Sequence, residues 1–221
     1  MPGKLQKFAE FESFKNCFYL PFEKKHEGLA LKGKWKSDYF KNNHPIVLEL
    51  GCGRGEYTIG LAKNNSNKNY IGVDIKGNRI WTGAKEAISS NMNNVAFIRV
   101  LIDFIDGCFA ENEVDEIWIT FPDPQPNKPR ERKRLTSLCF LERYFRILQP
   151  EGIIRLKTDS TFFYEYTLEV IREQKLQLIH SSSDLYSHNP SGMEELTQIQ
   201  TYYENLFSSK GDKIKYCSFR R

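Results

Sequence analysis

The apolar run Ile46-Val47-Leu48-Glu49-Leu50 breaks directly into Gly51-Cys52-Gly53-Arg54-Gly55, and an amphipathic stretch opens at Glu56. A buried strand that ends in a glycine-rich turn and re-enters a helix is the opening unit of an alternating α/β sheet. No other segment constrains the chain as strongly, because the same order repeats downstream. Strand patterns at 69–75, 95–101, 116–120 and 153–157 alternate with helical patterns at 78–90, 135–148 and 162–174. The helix over 135–148 is predicted to end at Pro150 and Gly152. Two more strand patterns, 176–179 and 213–219, close the chain. The order predicts a doubly wound, mostly parallel seven-stranded sheet whose ligands sit at the carboxyl ends of the strands.

At 221 residues the chain has the length of one α/β domain with a full core. Residues 1–45 carry aromatics, among them Phe8, Phe11, Phe14, Phe18, Tyr19 and Phe22, without a clear fold signal. They read as an extension packed on that same domain. No stretch reaches the length of a membrane span, and the first ten residues are too polar for a signal peptide. The five cysteines, at 17, 52, 108, 139 and 217, form no CxxC pair. They read as reduced thiols of a cytoplasmic protein, with no disulfide frame and no metal site. A net charge of +4 is compatible with a nucleic-acid partner without requiring one.

The glycine turn invites a nucleotide, and charge discriminates between candidates. A dinucleotide loop of the GxGxxG kind would place glycine where this chain has Glu56, and it would bring a pyrophosphate to the helix N-terminus. Glu49 and Glu56 would then face that pyrophosphate. S-adenosylmethionine instead carries a sulfonium and an ammonium, which acids at the mouth attract. Without any ligand the segment is only a tight turn. Asp74 follows Glu49 by about the offset at which an acid binds ribose hydroxyls, and a carboxylate can accept from both. Its structural alternative is a cap on the helix near Asn78. Asp103 is expected to end the third strand likewise, placed to accept from an adenine amino group.

After the fourth strand comes Phe121-Pro122-Asp123-Pro124-Gln125-Pro126. Prolines on either side stiffen the loop and would hold Asp123 at the sheet's active edge. Five cations then crowd the seven positions from Lys128 to Arg134, just before a helix expected to start near Thr136. Cations are disfavoured at a helix N-terminus, so they suggest an anionic partner such as a phosphate backbone, the alternative being a solvated charge run.

Taken in order, Glu49-x-Gly51-x-Gly53, Asp74, Phe121-Pro122-Asp123-Pro124, Arg132-Lys133-Arg134-Leu135, Lys157-Thr158-Asp159 and Thr201-Tyr202-Tyr203-Glu204 resemble the bacterial tRNA (guanine-N7)-methyltransferase family. The resemblance runs from about Lys36 to near the end of the chain. It implies a Rossmann-like class I methyltransferase with an antiparallel last strand. It further implies methyl transfer from S-adenosylmethionine, without a metal, to N7 of a variable-loop guanine, position 46 of tRNA. By resemblance, Glu49, Gly51, Asp74, Asp103 and Asp123 contact the donor, and Asp123 is also catalytic. Asn127, Asp159, Thr201 and Glu204 hold the substrate guanosine, while Lys128, Pro129, Arg130, Arg132, Lys133 and Arg134 touch RNA. No membrane and no obligate protein partner is implied. The chain departs from the family at Gln125, commonly tryptophan, and at Asn127, commonly lysine.

Other readings stay open from the residues alone. A dehydrogenase shares the fold, but Glu56 and the basic run oppose it. A non-catalytic RNA-binding protein would keep the cations without needing the acids. A methyltransferase acting on another RNA, a protein or a small molecule is the enzymatic alternative. Asp159 could instead cap the helix near Phe162, and Glu204 could be an exposed helical residue.

Overall fold

The central strand, Ile46–Leu50, is buried at every position because helices cover both faces of the sheet. A computed structural model describes residues 3–187, 195–209 and 211–221. The chain opens with α1 (Lys4–Ser13) and β1 (Cys17–Tyr19), then enters the alternation β2 (Ile46–Leu50), α2 (Glu56–Asn64), β3 (Asn69–Asp74), α3 (Gly77–Ser89), β4 (Val95–Arg99) and β5 (Val114–Thr120). It continues through α4 (Leu138–Ile147), β6 (Leu148–Thr158), α5 (Thr161–Glu173), β7 (Gln177–Ser182), α6 (Glu195–Gln198), α7 (Tyr202–Ser208) and β8 (Lys215–Arg220). No helix among the described residues is long and apolar enough to cross a membrane.

Side chains alternate between the faces of a strand, and β2 uses both. Ile46, Leu48 and Leu50 join one apolar layer with Phe140 and Tyr144 of α4 and Phe163 of α5. Val47 joins the other, with Tyr57 of α2, Ile80 of α3 and Phe11 of α1. Glu49 shares the Val47 face, so the same alternation that builds the core aims this acid beneath α2.

The strand order is β1-β4-β3-β2-β5-β6-β8-β7, parallel except that β8 runs antiparallel to both β6 and β7. The antiparallel last strand is thus present. The order reverses between β2 and β5, and a crevice opens at the carboxyl ends of these strands. The sheet has eight strands rather than the expected seven, because β1 pairs in parallel with the edge strand β4. Hydrophobic patterning did not mark this three-residue strand. Contacts far along the chain hold it: Phe18 meets Trp35 and Tyr39 edge to face, each at 5.1 Å, and the buried Trp35 donates from Nε1 to the carbonyl of Cys108 at 2.9 Å.

Several boundaries differ from expectation. Helix α4 starts at Leu138, not near Leu135 or Thr136, because the basic segment forms its own 3-10 helix, Lys128–Lys133. It ends at Ile147, within a residue of expectation, but β6 begins at once instead of at Ile153, since Leu148 is already extended and pairs with Val114. Strand β4 stops at Arg99, and a 3-10 turn, Ile102–Gly107, follows.

Candidate active site

The glycine turn is shaped by two different demands. Gly51 has φ +77°, and its N–H and that of Cys52 both donate to the carbonyl of Val73, at 2.8 and 3.0 Å. That left-handed conformation favours glycine. Gly55 is constrained by packing as well: a Cβ there would come within 2.7 Å of the Phe97 ring, as would one on Gly72. Phe97, fully buried in β4, thereby locks the turn against the sheet.

Glu49 ends up at the floor of a cleft of about 550 Å³ whose walls include Gly51, Asp123, Asp159 and Thr201. Its carboxylate is 4% exposed and surrounded by donors. The N–H of Thr58 donates to Oε2 at 2.8 Å, the Thr58 hydroxyl donates to the same oxygen, and the Thr120 hydroxyl donates to Oε1 at 2.6 Å. Burial raises the carboxyl from 4.5 to about 7, with these hydrogen bonds opposing and the neighbouring Asp74 adding to the rise. A buried carboxylate in this state favours a cation in the cleft over an anion. Thr58 and Thr120 had no signal of their own in the sequence. Parallel pairing of β2 with β5, Glu49 beside Trp118, brings the end of β5 to Glu49.

Asp74, the last residue of β3, braces the turn: Oδ2 accepts from the Gly53 N–H at 3.0 Å and Oδ1 from the Lys76 N–H at 2.8 Å. It is not a side-chain cap on α3, whose N-cap position is Lys76. Each oxygen keeps a second lone pair for a hydroxyl donor. Asp103 departs from expectation. It lies in the first turn of Ile102–Gly107, exposed, on a separate hollow shared with Lys32 and Arg143. The chain leaves the sheet at Arg99, so Asp103 lies in a 3-10 turn and does not end a strand.

Asp123 lines the cleft, exposed, with Oδ1 accepting from the Gln125 N–H at 3.1 Å. Beyond it Asn127, also exposed, occupies the N-cap position of Lys128–Lys133 and is not among the cleft-lining residues. Lys128, Pro129, Arg130, Arg132 and Lys133 are exposed on this 3-10 helix. The expected clash with the dipole of α4 does not arise, because Arg134 to Ser137 separate the two helices. Arg134 is the exception in the run, buried and turned inward.

At the far wall Asp159 lines the cleft half-buried, and burial raises its carboxyl above the ordinary range. It does not cap α5; Ser160 does, accepting from the Phe163 N–H at 3.2 Å. Thr201 lines the cleft too and caps α7 by accepting from the Glu204 N–H at 3.2 Å. That leaves its hydroxyl proton for a ligand. Glu204 is not the exposed helical residue that the sequence left open, and it is not among the cleft-lining residues. It is fully buried, its oxygens lie 2.7 and 2.9 Å from the Lys157 ammonium, and the Tyr186 hydroxyl donates to it at 2.8 Å. Burial lowers the Lys157 pKa, and Glu204 opposes the shift. Removing one partner of such a pair typically costs about 3–5 kcal/mol, so Glu204 anchors α7 beneath the cleft instead of lining it.

Further residues reach the same cleft without having been singled out. Arg54, Lys76, Arg79 and, from α7, Tyr202, Tyr203 and Phe207 also line it, with the Arg54 guanidinium carbon 5.6 Å from the Tyr202 ring centroid. Glu56 accepts from the Tyr202 N–H at 2.8 Å, tying the glycine turn to α7 across the opening. The Tyr-Tyr pair was visible in the sequence only as part of a motif; its placement depends on α7 docking over the sheet.

Known proteins are similar to this chain in sequence and in fold. Residues 43–217 match a family described as "Putative methyltransferase". A tRNA (guanine-N(7)-)-methyltransferase of Christiangramia forsetii is 48% identical over 219 residues, covering 99% of this chain and 97% of that protein. One of Bacteroides thetaiotaomicron is 48% identical over 219 residues, covering 99% and 85%. Among solved structures, an antibiotic-related methyltransferase superposes with a TM-score of 0.62 at 17% identity, covering 87% of this chain and 95% of its own.

Proposed function

The chain belongs to the tRNA (guanine-N(7)-)-methyltransferase family, and from that premise we propose that it methylates a variable-loop guanine of tRNA at N7 with S-adenosylmethionine as donor. The observation that carries the donor assignment is Glu49: a buried carboxylate with a raised pKa, under a glycine turn, asks for a cationic ligand. When bound, S-adenosylmethionine supplies an electrophilic methyl group on a sulfonium. Glu49, Gly51 and Asp74 are the residues suited to hold it. Asp74 and Asp103 both lie outside the cleft lining; Asp74 reaches the glycine turn through the Gly53 N–H, whereas Asp103 stands on a separate hollow.

Guanine N7 carries an in-plane lone pair and no proton, so no general base is required. The protein's task is alignment, which can contribute roughly 7–11 kcal/mol. The base gains positive charge as the bond forms, and a carboxylate close to the accepting ring stabilises it. Asp123 has that role in our reading, as an orienting and electrostatic group. Asp159 is suited to accept from guanine N1–H and the exocyclic amine, a donor pattern adenine lacks. Thr201 offers its hydroxyl beside them.

The exposed cations of the 3-10 helix then meet RNA phosphates. Replacing Arg130, Arg132 or Lys133 by alanine is expected to weaken tRNA binding and leave donor affinity unchanged. Each lost phosphate contact should flatten the log–log salt dependence by about 0.7–0.9. A salt slope that moves for none of the three would assign the tRNA contact elsewhere.

The reaction itself is tested by incubating the protein with labelled donor and unmodified tRNA, then identifying the modified nucleoside. 7-Methylguanosine from the variable loop is expected. Transfer to another atom, or none to any tRNA while the donor binds, would overturn the proposal.

A further inference from the structure

Of the five cations between Lys128 and Arg134, only Arg134 is buried, at 5% exposure. Each of its three guanidinium nitrogens has a polar partner. Nε donates to the carbonyl of Gln125 at 3.2 Å, and a terminal nitrogen donates to that of Pro126 at 3.5 Å. The other terminal nitrogen lies 3.5 Å from a carboxylate oxygen of Glu131. The rings of Tyr166 and Phe162 face the guanidinium carbon at 4.3 and 4.7 Å from their centroids. Burying a cation is costly unless hydrogen bonds and opposite charge compensate, and here both do. With its side chain only 6% exposed, the guanidinium is poorly placed to meet an RNA phosphate.

What it grips is the loop that presents Asp123. Gln125 sits at φ +45°, a left-handed conformation that a glutamine does not hold by itself. Its carbonyl is bound by Arg134, and its N–H donates to the Asp123 carboxylate. The chain of contacts therefore runs from the aromatic pair on α5, through Arg134, to Gln125 and Asp123. No local feature of the sequence separates Arg134 from Arg132 and Lys133.

We propose that Arg134 is a positioning residue for methyl transfer, holding Asp123 in place through the carbonyls of Gln125 and Pro126, and that it does not contact RNA. This rests on the role given to Asp123 above.

The test compares Arg134→Lys, Arg134→Ala and Phe162→Leu with Arg132→Ala, measuring kcat, KM for tRNA, tRNA affinity across a salt series and donor affinity as the control for folding. Lysine keeps the charge but cannot bond two carbonyls in one plane between two rings. Small misplacements of an aligned group cost up to about 10²-fold, so Arg134→Lys is expected to lower kcat by about tenfold or more. Its tRNA affinity and salt slope should match wild type, unlike those of Arg132→Ala. Phe162→Leu removes one ring face and no charge, and should lower kcat in the same direction. Amide hydrogen exchange over residues 121–127 should quicken in both, a readout independent of catalysis. Wild-type kcat in Arg134→Lys, or unchanged loop exchange in both variants, would overturn the proposal. So would a loss of tRNA affinity and salt slope in Arg134→Ala equal to that of Arg132→Ala. If Arg134→Lys loses donor binding through misfolding, Phe162→Leu decides by the same criteria. A wild-type protein that methylates no tRNA would instead reject the functional reading, while loop exchange still tests the clamp.

Discussion

Asp123→Asn is expected to lower the single-turnover rate of tRNA methylation by about 10²-fold, the scale at which one removed electrostatic stabiliser is felt. The substitution is structurally mild. The oxygen that accepts from the Gln125 N–H is retained in asparagine, so the turn that presents the side chain should persist. What is lost is the negative charge beside a base that becomes cationic as N7 takes the methyl group. Because N7 has no proton to lose, the wild-type single-turnover rate should not depend on residue 123 accepting one. Donor and tRNA affinities, measured in parallel, separate a chemical effect from a binding effect. A rate that tracks proton uptake by Asp123, or an Asp123→Asn variant as fast as wild type, rejects the electrostatic role.

Glu49→Gln is expected to move two properties in opposite directions, weakening donor binding and stabilising the empty protein. The carboxyl stands at about 7 in the fold against an ordinary 4.5, chiefly through burial. A raised carboxyl favours the fold while it is protonated. Its contribution is fully present below 4.5 and is lost as pH rises through about 7. At pH 8 the empty protein therefore carries an unfavourable buried charge worth up to about 3 kcal/mol. Glutamine removes that charge; its carbonyl can accept from Thr58 and its amide can donate to the Thr120 hydroxyl. Melting of Glu49→Gln at pH 8 should rise by roughly 5–10 °C, with little change near pH 4. A cationic donor reverses the balance by favouring the ionised form, so binding releases a proton. Wild-type donor affinity should then fall as pH drops below about 7, and Glu49→Gln should bind more weakly and lose that dependence. Calorimetry in buffers of different ionisation enthalpy reads the proton directly. No proton release at pH 6.5, together with an unchanged melting point at pH 8, would reject the cation-binding role of Glu49.

Local patterns made much of the fold legible. The alternation of short apolar runs with amphipathic stretches placed β2, β3, α2, α3 and α5 within about a residue or two, because strand and helix periods are properties of neighbouring residues. The positive φ at Gly51, and the acids Glu49 and Asp74 at the ends of β2 and β3 with Asp123 just past β5, follow from the same local rules. Boundaries failed where a non-local contact decided them: β1 exists because β4 offers it an edge, and α4 starts late because the basic segment winds separately.

The direction of the polar side chains was decided only in the tertiary structure. Lys128, Arg130, Arg132, Lys133 and Arg134 look alike in one run, yet Arg134 alone finds two aromatic faces on α5 and turns inward. Glu204 could have been an exposed helical residue, yet Lys157, 47 positions away, pairs with it in the interior. Asp103 ends a strand on paper, and a 3-10 turn takes it to another hollow. Thr120 matters because β5 lies beside β2, which brings its hydroxyl to Glu49 across 71 positions. A backbone follows preferences that act over a few residues, whereas a charged group goes wherever desolvation is best compensated, and those partners are gathered by the fold from distant parts of the chain.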